Sequence, residues 1–472
     1  MKKTIVLFAV GLLGLGTARL NAQTYNDLYN FGSNPNDPIG PSHPGIIAQG
    51  RDGNLYSTSW AGGADGYGAV FRVTPKGTLA VIYSFDSVHG DAPYSGLTLG
   101  AQGDFYGAAY QGSEYSYGNV FSIGATGGQP TILHSFAGTD GAYPFGPPVL
   151  GPDGNLYGTT SEGGANDYGT IYQIILKTGK FNLLHSFDFT DGSYPVAPLV
   201  LGTDGNLYGS AQQGGILDCN SGCGTIFKIS TAGKFDKVHS FVSTDGAYPL
   251  APLVEGNNGS FYGTAYAGGD VESECSDGCG TVFQLTSAGE VTVLHAFQGQ
   301  SGSDGAYPYA GLVQGSDGNF YGVTYAGGAA ADGTIFEVNP SGSKYSVIYQ
   351  FAQSTGFYSQ VTLTQNTSGS FYGDTYEGGS EGDGVFYSLK VKSAGAFVSL
   401  VPTTAKPGNR VVILGQGLTG TTAVSFNGSA AQFTVNSATY LTATVPSGAT
   451  SGFVTVTTPA GKLTSNRQFQ VQ

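Results

Sequence analysis

Short apolar runs, some alternating with polar residues and each closed by a glycine-bearing turn, fill the chain from Tyr25 to its end. No apolar pattern of helical period follows the first two dozen residues, so the predicted elements are strands. The runs recur as one unit: Asp-Gly-Asn-Leu-Tyr-Gly, Gly-Gly, Gly-Thr-Ile-Phe, Leu-His-Ser-Phe, Asp-Gly-Ala-Tyr-Pro. The tyrosine of its Asp-Gly-Asn turn falls at Tyr56, Tyr106, Tyr157, Tyr208, Tyr262, Tyr321 and Tyr372, at spacings of 50, 51, 51, 54, 59 and 51. A period near fifty residues marks a repeat architecture.

Each unit parses into four strands, A to D. In the fourth unit these are Ala197–Leu201, Asn206–Gly209, Gly224–Ile229 and Lys237–Phe241. Asp-Gly between apolar runs is a tight hairpin signal, because glycine accepts the positive φ such turns need. Prolines at Pro144, Pro195, Pro249 and Pro308 precede strand A, where a missing N–H costs little. Four antiparallel strands per unit, seven times over, predict a seven-bladed β-propeller.

The two ends of the array complement each other. The chain opens on a lone D-type strand, Asp27–Phe31, and the seventh unit stops after its C strand, Gly384–Leu389. The first strand is therefore expected to complete the last blade and remove an exposed edge. Antiparallel order also sorts the loops: B-to-C and D-to-A loops share one face, and A-to-B and C-to-D turns the other. The insertions fall on the first face, in the two cysteine-bearing B-to-C loops and in the D-to-A loop Gln298–Ser303. Variation on one rim of a fixed scaffold is where binding is expected.

The units resemble the GloVer-type tandem repeat of exported bacterial proteins, through Asp153–Thr160, Cys223–Ile229 and Asp245–Pro249, over residues 25 to about 389. In strand phase they are also similar to the NHL-type propeller repeat. The resemblance implies a secreted or surface-attached propeller, often with a separate sorting or anchoring module, and no activity. The remaining segment leaves the period. Phe397–Pro402, Val411–Leu418, Ala423–Gly428 and Val445–Val456 resemble an IPT/TIG domain, an immunoglobulin-like sandwich. That resemblance implies adhesion or spacing at surfaces. The fold expected is all-β: a seven-bladed propeller over 23–389, closed by its N-terminal strand, a linker at 390–395, and a sandwich over 396–472.

Residues 1–22 carry Lys2 and Lys3, an apolar run from Ile5 to Leu15, and Leu20-Asn21-Ala22, the pattern of a signal peptide cut after Ala22. No later stretch has the ~20 apolar residues of a membrane span. Removing the leader moves the net charge from −14 to −17, since Lys2, Lys3 and Arg19 leave with it. That balance argues against nucleic acid and anionic membranes as partners. In an exported chain Cys219/Cys223 and Cys275/Cys279 read as two short disulfide loops. A shared four-cysteine zinc site is the alternative, although C-x3-C is not the usual knuckle spacing.

On the insertion-bearing face the sequence places Asp140, Asp191, Asp245 and Asp304, each three residues before Tyr143, Tyr194, Tyr248 or Tyr307. Strand B adds Trp60, Tyr110, Tyr266, Tyr325 and Tyr376 just before the Gly-Gly loop. Rigid aromatics beside carboxylates suit a carbohydrate face, with rings to stack on sugars and oxygens to accept hydroxyls. The competing reading has the aspartates closing turns and the tyrosines wedging between blades, since both recur with the scaffold. His134, His185, His239 and His295 share one position in strand D, too far apart on separate blades to hold one metal; His43 and His89 stand alone. No cofactor is expected; the Gly-x-Asp-Gly-Asn turns offer oxygens to calcium, yet none matches an EF-hand loop.

For catalysis a constellation should break the repeat. The acids that do so are Glu162, Glu377, Asp218, Asp270, Glu272, Glu274 and Asp277. Nothing in the sequence sets two of them at the ~5 to 9.5 Å of a glycosidase pair, and no G-x-S-x-G, H-E-x-x-H or phosphate loop is present. The expectation is an exported binding or structural protein whose partner is a glycan or a surface protein. The alternatives are a carbohydrate-active lyase or hydrolase on the same scaffold and a passive envelope scaffold.

Overall fold

The computed structural model describes residues 23–41, 46–269, 275–299 and 303–472; the leader, His43, Asp270, Glu272 and Glu274 lie outside the described residues. Among the described residues all regular structure is β except one 3-10 turn, Gln353–Thr355, and no helix is long and apolar enough to cross a membrane.

Each unit folds into one antiparallel sheet in the order A-B-C-D. In the third these strands are Val149–Leu150, Leu156–Thr160, Thr170–Ile175 and Lys180–Ser186. Seven such sheets follow one another, a propeller-like array. The first carries an extra strand, Pro38–Pro41, on the end of its B strand. The seventh takes its outer strand from the start of the chain: Thr24–Asn30 pairs antiparallel with Val385–Lys390, with Tyr25 opposite Leu389 and Asn30 opposite Val385. B and C strands are buried along nearly their whole length, while D strands are half-exposed. That gradient follows from position, since an inner strand is covered on both faces by neighbouring sheets.

The recurring residues are largely the contacts between sheets. Asp153 accepts the Tyr157 hydroxyl at 2.8 Å and the Asn155 amide at 2.6 Å, closing the turn; Asp52, Asp204 and Asp317 take Tyr56, Tyr208 and Tyr321 in the same way. These aspartate oxygens are thus engaged by groups of the protein, mostly within the turn itself. The tyrosine ring then packs on a phenylalanine of the next sheet: Tyr56 on Phe105 at 4.3 Å, Tyr208 on Phe261 at 4.0 Å, Tyr262 on Phe320 at 4.0 Å. A second link uses the last residue of strand A. Gln314 accepts Asn257 N at 3.1 Å and Gln365 accepts Ser316 N at 2.9 Å, each from the preceding sheet's turn. Gln49 of the first sheet accepts Thr367 N of the seventh at 2.8 Å, so the same contact joins the two ends of the array.

At the periphery His134 stacks on Phe181 of the next sheet at 3.8 Å, His185 on Phe235 at 3.9 Å, and His295 on Tyr345 at 3.6 Å. Burial pushes the His134 pKa below its ordinary 6.5, partly offset by Asp140. The unfolded chain therefore binds the proton more readily. The contribution of His134 is complete above pH 6.5 and is lost as pH falls below it towards the depressed folded value. Thermal melts between pH 8 and 5 should fall more steeply for the wild type than for His134→Phe; parallel curves would refute the assignment. A separate site concerns Tyr172, which stands where most units have phenylalanine: its hydroxyl is buried without a hydrogen-bond partner. Tyr172→Phe should raise stability by about 1 kcal/mol in urea titrations, within the range for an unsatisfied polar group.

The C-terminal sandwich packs two sheets. One runs Ser399–Val401, Arg410–Leu414, Tyr440–Thr444, Phe433–Val435; the other runs Ser429–Ala430, Ala423–Phe426, Val454–Thr458, Gly461–Thr464. Its core is Val411, Ile413, Val424, Phe426, Leu441, Val456 and Phe469. The sandwich sits against the A-to-B turns of the array. Thr439 Oγ1 donates to Arg51 O at 2.6 Å and Gln472 Nε2 to Pro152 O at 2.7 Å, while Ser393 Oγ of the linker donates to Asp317 at 2.6 Å. Val412 and Leu414 join the cluster of Tyr56, Leu99 and Phe105. One face of the array is thereby covered, and among the described residues the sandwich makes no contact with the B-to-C/D-to-A face.

Candidate functional site

The five strand-B aromatics lie on the open face, and all are half-buried. Four of them gather into two groups. Trp60 stacks with Tyr94 (ring centroids 6.1 Å apart), Tyr94 meets Tyr110 edge-on at 5.4 Å, and Tyr110 packs on Tyr143 at 4.9 Å and Phe145 at 4.7 Å. Tyr266 packs on Tyr307 at 5.0 Å and Tyr309 at 5.7 Å, Tyr309 approaches Tyr325 at 6.4 Å, and Tyr325 stacks on Tyr358 at 4.3 Å. Burial raises the hydroxyl pKa of Tyr94 and of Tyr309, with smaller contributions from Tyr376 on the first and from Tyr325 and Tyr94 on the second.

Tyr94, Phe145 and Tyr309 are the residues that sequence reasoning missed. Each directly follows the proline that opens strand A, where the fourth and fifth units have Val196 and Leu250. An aromatic after that proline was the available signal. The loop conformation that presents them is fixed by the residue before the proline. Ala92, Tyr143, Tyr194, Tyr248 and Tyr307 take φ between 51° and 61°, a left-handed conformation rarely adopted by large side chains, and Tyr358, which precedes Ser359, takes 58° at the equivalent place. Hydrogen bonds on both sides impose it: Tyr143 N donates to Tyr117 O at 2.9 Å, and Tyr143 O accepts Ser161 N at 3.1 Å.

The aromatic arc has a polar gap. Where strand B ends in an aromatic elsewhere, the third and fourth units carry Ser161 and Gln212. Glu162 lies at this gap and accepts the Tyr194 hydroxyl at 2.6 Å. Burial, with help from Glu162 and Tyr143, pushes the Tyr110 hydroxyl up to about 12, so it stays a neutral donor. Asp218 is used locally, accepting Ser243 N at 2.8 Å and Ser243 Oγ at 2.7 Å.

The four predicted aspartates serve the outer strand. Asp140 takes His134 at 2.9 Å and Ala137 N at 2.8 Å, and Asp191 takes His185 at 2.8 Å and Asp188 N at 3.0 Å. Asp245 takes His239 at 3.0 Å and Val242 N at 2.9 Å, and Asp304 takes His295 at 2.9 Å and Gln298 N at 3.1 Å. These carboxylates lock the D-to-A loop, and their oxygens are engaged within their own sheets. The cysteines pair locally, Cys219 with Cys223 and Cys275 with Cys279. Beside the first pair, Ile216 and Leu217 are 48% and 74% exposed on the same face, as are Val88, Tyr115 and Tyr168 to a lesser or similar degree.

No curated protein matches the sequence. Among solved structures the chain is similar to a fungal alcohol oxidase in complex with copper, at 12% identity and a TM-score of 0.48, with 92% of this chain and 98% of that one covered. It is also similar to a gluconolactonase from Xanthomonas campestris, at 13% identity and a TM-score of 0.40, covering 79% and 91%. Residues 396–471 match the IPT/TIG domain. The model of the Gloeobacter/Verrucomicrobia repeat matches residues 15–149, 146–302 and 271–414, which together span most of the chain, and the protein belongs to that repeat family.

Proposed function

We propose that this is an exported binding protein that recognises glycan through the aromatic arc of its open face, with the sandwich domain holding the opposite face. The observation that supports the reading is the pair of aromatic clusters, Trp60–Tyr94–Tyr110 and Tyr309–Tyr325, in units whose strand B ends in an aromatic, while the third and fourth units carry Ser161, Glu162 and Gln212 there, the polar gap. Pyranose rings present an apolar face to such rings and hydroxyls to such a gap. Two local disulfides and an IPT/TIG domain are compatible with an extracellular setting.

A glycan array probed with the full chain, followed by calorimetry on any hit, tests the reading. Trp60→Ala and Tyr309→Ala should each weaken binding roughly 30-fold, about 2 kcal/mol, the scale of a buried aromatic anchor. Asp191→Asn should leave affinity unchanged, because that carboxylate serves His185. Saturable binding insensitive to both aromatic changes would overturn the site, and cleavage of the bound polysaccharide would overturn the binding-only reading. The exposed Ile216 and Leu217 favour a second reading, a protein partner on the outer rim. That reading requires a partner whose capture is lost in Leu217→Asp and kept in Trp60→Ala.

A further inference from the structure

A different cavity lies on the axis of the array, where the strand-A walls meet the sandwich. It has a volume of about 330 Å³ and is walled by Leu99, Val149, Val200, Val254, Val313 and Thr364, with the segment 400–403 of the sandwich as its floor. The lining is apolar apart from threonines and one charge, Arg467. Arg467 also lines the adjoining gap of about 100 Å³ between the sandwich and the turns of the fourth and fifth sheets.

Among the described residues no carboxylate comes within 4.0 Å of the Arg467 guanidinium. The acid that acts on it electrostatically is Glu255. Glu255 is already committed: its two oxygens accept Thr203 N at 2.9 Å and Thr203 Oγ1 at 2.6 Å, the inter-sheet link that glutamines make in other units. Arg467 is an exposed residue bordering both spaces, so its charge is open to a ligand. Its flat fork of donors matches a carboxylate. The walls around it reward an apolar body.

We infer that this cavity is a binding site for an amphiphilic monoanion, a medium-chain carboxylate whose head pairs with Arg467 and whose chain lies along the strand-A walls. At interior packing density the volume holds a chain of roughly ten carbons. The inference stands apart from the glycan reading, which concerns the other face.

The test titrates the full chain by calorimetry with decanoate and, separately, with decanol. The wild type should bind decanoate saturably and at least tenfold more tightly than decanol. Arg467→Gln should erase that preference while decanol binding persists, and Arg467→Lys should keep part of it. Val313→Phe, which narrows the cavity and leaves the charge, should weaken both ligands together. A folded wild type that binds no decanoate, or an Arg467→Gln variant that keeps the tenfold preference, overturns the proposal.

Discussion

Deleting Tyr25 to Phe31 should turn a soluble, cooperatively folding protein into one that aggregates. The segment is the outer strand of the seventh sheet, and without it Val385–Lys390 offers a row of unpaired backbone groups to other chains. Side chains are lost with it. Tyr25 stacks on Tyr349 at 3.9 Å and on Tyr387 at 5.2 Å, and its hydroxyl donates to Thr355 O at 2.8 Å. Phe31 is fully buried against Phe71 of the first sheet. Removing a phenylalanine of that kind costs about 3–5 kcal/mol, a large part of a typical domain's whole stability. Size-exclusion chromatography and urea unfolding would decide. A monomeric deletion variant with the wild-type midpoint would show that the strand closes nothing.

The same strand shows why so much of the fold was legible. Tyr25, Tyr29 and Phe31 are spaced as Phe181, His185 and Phe187 are in the third unit, so the detached strand already carries a D-strand pattern. Tyr25 accordingly takes the stacking place on Tyr349 that Phe181 takes on His134. Repetition made each local signal readable several times over. The site was less legible for the same reason: a residue present in every unit reads as scaffold, and Tyr94, Phe145 and Tyr309 occur in only some. Asp140 and its equivalents looked available because sequence does not display a histidine six or nine residues upstream as a partner. The apolar run Val411–Leu414 also held an unused signal. A strand of a sandwich open to water on one side alternates, whereas this run is apolar throughout, which means that both faces are covered.

That run makes the second large prediction. Val411 and Ile413 point into the sandwich core, while Val412 and Leu414 point out onto Tyr56, Leu99 and Phe105 of the array. The substitutions Val412→Asp and Leu414→Asp, made together, should therefore undock the sandwich without unfolding it. Each removes apolar burial worth ~1.5–3 kcal/mol and places a carboxylate against apolar walls, a further penalty of the same order or more. The remaining contacts include Thr439 on Arg51 O, Gln472 on Pro152 O, Gln416 on Thr367 and Tyr440 beneath Arg51, individually weak links of about 1 kcal/mol or less net that are expected not to hold the interface alone. Small-angle scattering should report a larger radius of gyration, calorimetry two separate transitions, and proteolysis new cutting at 390–395. Val411→Asp, one residue away and facing inward, should instead remove the sandwich transition altogether. An unchanged radius of gyration in the double variant would mean that the sandwich is held by something other than this apolar face, and the floor of the axial cavity would then have to be explained without it.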